Sequence, residues 1–153
     1  MLKRKYFALF GLLILMVSCT HDQAFVHKFD MKNHGWGKFS NLEFHQGSFV
    51  QNEAYSLQLD LVIDENYRES LFEFQLLIES EEGESWNKVF SIAIKDDDGN
   101  FLAENNNGTL IYHEVLLKTK YFNEKGNYSF EVVNLNSKII TKGIKSIAFI
   151  FEK

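Results

Sequence analysis

Proline is absent from this sequence and cysteine occurs once. A lone cysteine excludes an internal disulfide framework and any zinc set built on two thiolates. The missing proline excludes a stiff, proline-rich stalk. No apolar run approaches the ~20 residues needed to span a bilayer as a helix. The five histidines (His21, His27, His34, His45 and His113) are scattered, with no HExxH pair. No GxSxG elbow and no phosphate-cradling glycine loop is present. Basic residues are the scarcer sign, 16 against 21 acidic, for a formal net charge of −5. Such a balance disfavours nucleic acid and anionic headgroups as partners. No cofactor and no metal is expected from these residues.

The one cysteine is placed informatively. Lys3, Arg4 and Lys5 precede an apolar stretch from Tyr6 to Val17, which runs through LLILMVSC to Cys19. A charged start, a short apolar core and small residues before a cut site make a secretory signal. Ending it in Val17-Ser18-Cys19 resembles a bacterial lipoprotein signal, in which cleavage precedes a cysteine that then receives acyl chains such as palmitate. Residues 1–18 are therefore read as the signal and Cys19 as the lipid attachment site. Three acyl chains, at ~0.8 kcal/mol per buried methylene, hold such a protein on its membrane. Losing three basic residues with the signal makes the remaining chain still more acidic. Residues 19–26 are read as the lipidated cysteine and a short tether, and residues 27–153 as a single domain. Only Asp22 is acidic just after the cysteine. Without an acidic export run, a periplasm-facing location is favoured over the cell surface.

The domain carries a period-2 signal. In YSLQLDLVID, Tyr55, Leu57, Leu59, Leu61 and Ile63 share one face, with Ser56, Gln58, Asp60 and Asp64 mainly on the other. Phe72, Phe74, Leu76 and Ile78 repeat the pattern, as do Phe90, Ile92 and Ile94, and Ile147, Phe149 and Phe151. Turn chemistry separates these runs at Asp96–Asn100, Asn105–Gly108 and Glu124–Asn127. Leu116 to Tyr121 reads as a single helical turn or a loop. The expectation is an all-β, antiparallel, jelly-roll-like sandwich of about seven or eight strands.

Candidate chemistry is sparse. Asp96, Asp97 and Asp98 before Gly99 offer calcium oxygens, but the EF-hand pattern is not met, and a hairpin turn is the simpler reading. Glu73, Glu79 and Asp60 are available as a glycosidase pair, yet they occupy outward strand positions. Trp36 and Trp86 are candidate platforms for stacking on sugar rings if exposed. Otherwise they fill the core.

From Trp36 to Glu152 the chain resembles the GldH gliding-motility lipoprotein family of the Bacteroidetes. The likeness rests on Trp36 and NLEFHQGSF, the Tyr55–Asp64 strand, Tyr67-Arg68, LFEFQLLIES and FSIAIKDDDGNFL. Its most specific piece is Phe122-x-x-x-Gly126-x-Tyr128-x-Phe130, followed by Gly143-Ile144-Lys145-Ser146-Ile147 and a closing Glu152. Asn123 stands where the family usually carries proline, and AENNNGT replaces its glycine-tryptophan-rich turn, which marks a divergent member. The resemblance implies a non-enzymatic accessory lipoprotein of the gliding machinery, acting through contacts with other envelope proteins, with no catalytic residues to transfer. The alternative is a carbohydrate-binding surface lipoprotein of a glycan-uptake system.

Overall fold

A computed structural model describes residues 24–124 and 126–153. Cys19 and the signal segment lie outside these residues. The described chain forms eleven strands and one 3-10 turn. The strands are β1 (Phe25–Asp30), β2 (Gly35–Gly37), β3 (Leu42–Phe49), β4 (Ala54–Asp64), β5 (Leu71–Ser80) and β6 (Ser85–Ala93). They continue as β7 (Glu104–Asn106), β8 (Thr109–Tyr121), β9 (Gly126–Asn134), β10 (Ile140–Lys142) and β11 (Ile144–Glu152). Among the described residues, no helix is long and apolar enough to cross a membrane.

Alternation builds the two main layers. One sheet runs β1-β11-β4-β8-β7 and the other β3-β9-β5-β6, while β2 and β10 form a separate two-stranded ribbon. All main-sheet pairings are antiparallel. With the three-residue strands β2, β7 and β10 set aside, eight long strands remain. Renumbered along the chain, they fall in the order 1-8-3-6 facing 2-7-4-5. That interleaving is the strand order of a jelly roll, so the protein is an all-β antiparallel sandwich of the expected class.

Between the layers lies an aromatic core. Phe44 of β3 stacks on Phe130 of β9 with ring centroids 4.7 Å apart, and Phe149 of β11 meets Phe44 from the opposite sheet. At one end Phe49, Phe122, Tyr55 and Tyr128 form a tight group, Phe49 lying 3.8 Å from Phe122. Offset and edge-on ring pairs add ~0.5–1.5 kcal/mol each beyond simple burial. Every inward residue expected of β4 and β5 is buried. So are Phe90, Ile92 and Ile94, and Ile147, Phe149 and Phe151.

Three local expectations are corrected. Leu116–Tyr121 is neither helical turn nor loop but the second half of β8. Its pairing with β4 slips twice, between Tyr55 and Leu57 and between Leu57 and Gln58. Each slip places an extra β8 residue opposite β4, and such bulges break the alternation that would have marked a strand. Asp64 is buried rather than outward, because Asn66 and His34 supply its hydrogen-bond partners. Phe25 and Val26 belong to β1, paired with Phe151 and Ile150, rather than to a tether. The Asp96–Asn100 turn closes a short hairpin as expected, with an antiparallel Lys95–Phe101 bridge and the Leu102 N–H on the Ile94 carbonyl, and the chain crosses to the other sheet immediately after it. A second hairpin forms at Asn107-Gly108, where φ values of 52° and 79° between paired Asn106 and Thr109 give a type I′ turn.

Candidate functional site

The tryptophans considered as sugar platforms, if exposed, are not open ones. Trp36 is 1% exposed in β2, packed against Phe72, with its indole Nε1 donating to the Ser40 carbonyl at 2.7 Å. Trp86 on β6 is half-buried, with the Lys120 ammonium 5.7 Å from its ring centroid. The three carboxylates considered for catalysis are also apart. Asp60 points outward from β4 and meets His113 at 2.6 Å, whereas Glu73 and Glu79 point outward from β5 in the opposite layer. Among the described residues, no group of three or more His, Cys, Asp or Glu is arranged to hold a metal ion. The Asp96 carboxylate instead accepts from the Asn100 backbone and side-chain amides and from the Asp98 backbone amide, which draws its pKa below the ordinary value.

A concavity of about 600 Å³ lies at one end of the sandwich, beside the β2–β10 ribbon. Asn33 and His34 form one wall, Arg68 another, and Lys138, Thr141 and Lys142 a third. This end is built under constraint. Asn33 and His34 both have left-handed backbone (φ 54° and 48°), a conformation that costs non-glycine residues ~1–3 kcal/mol each. The surroundings fix it. Gly143 N–H donates to the His34 carbonyl at 2.7 Å, Asp64 N–H donates to the Gly143 carbonyl at 2.8 Å, and the Asp64 carboxylate holds His34 Nδ1 at 2.8 Å. Gly143 itself has φ 85°, and a Cβ there would lie 2.3 Å from the Tyr67 nitrogen. Below the floor, Asn134 donates to the Trp36 carbonyl and accepts from Asn136.

The electrostatics of this end differ from the rest of the chain. Arg68, Lys138 and Lys142 line the cleft with one carboxylate, Glu69. Among the described residues, none of the three cations forms an ion pair. Burial works to raise the Asp64 carboxyl, but hydrogen bonds from Asn66 and His34 outweigh it and hold the group below its ordinary value. Burial also pushes the Tyr67 hydroxyl well up, helped by Glu69 and Glu73, so it stays neutral and donates to the Leu71 carbonyl. Next to the cleft, Phe39, Ile139 and Ile140 are 85%, 73% and 56% exposed, joined by the Lys38 N–H to Ile139 carbonyl bond.

A smaller hollow on the outer face of β3, β9 and β5 is acidic, lined by Glu43, Glu79 and Glu131 around His45. No family model matches the chain, and no curated protein matches it. The cleft residues come from three distant segments, which no local motif joins. Arg68 and Gly143 fall in stretches that carry the family resemblance, but nothing in the sequence joined those stretches into one site.

Proposed function

We propose that the protein is a non-enzymatic, lipid-anchored component of a bacterial cell envelope, held through Cys19 and acting by contact with other envelope proteins. A GldH-type accessory role in gliding motility is its most specific form. The observation that carries this reading is polarity along the sandwich. β1 enters at the end where Phe25 pairs with Phe151, and finishes where Asp30 pairs with Ser146. Six residues at ~3.3 Å each put about 20 Å between these ends. The exposed apolar residues and unpaired cations of the cleft lie at the far end. A chain tethered just before β1 therefore presents that end away from its membrane, as a protein that meets partners in the periplasm would.

The sugar-binding alternative draws no support from Trp36, which is buried, or from Trp86, which Lys120 partly covers. Two measurements test the proposal. Cys19→Ser is expected to abolish both lipid labelling and signal cleavage, and normal labelling of that variant would remove the anchor. A pull-down with the native lipoprotein from envelope membranes is expected to recover gliding or type IX secretion components. Recovery of outer-membrane glycan importers would instead favour the sugar-binding reading.

A further inference from the structure

We infer that the far-end cleft is an anion-binding dock for an acidic, apolar-flanked segment of a different protein. The inference deepens the protein-contact reading and rests on it. Arg68, Lys138 and Lys142 face a single carboxylate, Glu69, in a chain whose formal net charge is −5. Among the described residues, no carboxylate forms an ion pair with them. A concave site with one sign of charge focuses the field and attracts the opposite sign. Arg68 adds a planar fork suited to a carboxylate, which lysine alone does not offer.

The cleft is pre-shaped. Its His34 wall is fixed by buried Asp64, its Lys142 wall is pinned through Gly143, whose N–H donates to the His34 carbonyl, and Thr141 is buried. Binding there costs little ordering of the backbone. Ile140 lines the cleft and continues into exposed Ile139, giving an apolar rim beside charged walls. An acidic sugar or free phosphate satisfies the cations but leaves that rim unused. A peptide alternating carboxylate and aliphatic side chains satisfies both.

A second copy of this chain is the competing occupant. Its Glu81-Glu82 turn lies at the entry end, because Ser80 pairs with Tyr128 near Phe49, but its Asp96–Asp98 turn lies at the cleft end, where Lys95 reaches the Tyr67 and Arg68 carbonyls. That turn is closed on itself by the Asp96 carboxylate and Asn100, so it is not an extended strand of alternating carboxylate and aliphatic side chains. Self-association of the lipoprotein that Arg68→Glu/Lys142→Glu abolishes would put a second copy in the cleft and overturn the choice of a different protein.

The test uses the full-length lipoprotein in detergent and a fluorescent octapeptide of alternating glutamate and leucine, followed by anisotropy. Saturable binding is expected, weakening as salt is raised. The exposed-residue double variant Arg68→Glu/Lys142→Glu should lose roughly tenfold or more in affinity, with Ile139→Ser losing less. Circular dichroism and thermal melting of each variant check that the fold is kept. No peptide binding by the wild type, or equal binding by the folded double variant, overturns the dock. So does an oligogalacturonate that binds in the cleft where the peptide does not. Membrane pull-downs separate the two levels. If the double variant recovers the same envelope proteins as the wild type, the cleft assignment fails while the protein-contact function stands. If the wild type recovers none, the function itself fails.

Discussion

His34 Nδ1 lies 2.8 Å from the Asp64 carboxylate, although the two are thirty positions apart and Asp64 is buried at the end of β4. This contact joins the strained 3-10 turn to the sheet and sets one wall of the cleft. The same carboxylate also accepts from the Asn66 backbone N–H at 2.9 Å. Asp64→Ala leaves these donors without their partner and is expected to cost ~1–3 kcal/mol, measured by urea unfolding.

Acid sensitivity follows from two carboxyls. Asp64 and Glu84 both titrate below their ordinary values in the folded state. A depressed folded pKa contributes stability that is fully present above the unfolded value, ~4, and is lost as pH falls through the folded one. Unfolding free energy should therefore be flat from neutrality down to about pH 5 and fall below pH 4 for these groups. Asp64→Asn should flatten that acid limb, as read from melting temperature against pH.

Glu84 is a tie between two turns. Its carboxylate accepts from the Tyr128 hydroxyl at 2.8 Å and the Asn123 side-chain amide at 3.0 Å, with the Lys120 ammonium at 3.5 Å. Burial raises its pKa, but the Tyr128 hydrogen bond and the Lys120 charge prevail. The Tyr128 hydroxyl is itself pushed up to about 12 by burial and by Glu84. Glu84→Gln and Tyr128→Phe should each destabilise by ~1–2 kcal/mol. Their double variant should lose less than the sum, the coupling being read from a double-mutant cycle.

Gly143 admits no side chain. A Cβ would fall 2.3 Å from the Tyr67 nitrogen, in backbone with φ 85°. Gly143→Ala is expected to cost ~2 kcal/mol or more and to lower the melting temperature. Gly108→Ala, with φ 79° but open space around it, should cost only ~1 kcal/mol.

The sandwich was legible where neighbours in sequence share a fate. Tyr55 to Ile63 alternate because one face of β4 meets the core, and Asn107-Gly108 marks a turn because both positions need positive φ. Legibility failed where the cause is non-local. The two bulges in β8 depend on its register with β4, so Leu116 to Tyr121 carried no strand signature. Ser146 and Ala148 are buried at outward positions because β11 is an inner strand, flanked by β1 and β4. The cleft was invisible for the same reason. Asn33, Arg68 and Lys142 converge only once the jelly-roll crossings are made.

The most direct test of the account is site-specific photo-cross-linking of the native lipoprotein in its own membrane. A photoreactive residue replaces Ile139 at the far end, or Lys153 beside the entry of β1. The account predicts discrete protein adducts from position 139, diminished by Arg68→Glu/Lys142→Glu, and none from position 153. Adducts confined to position 153, or an Ile139 probe that captures no protein, would contradict it.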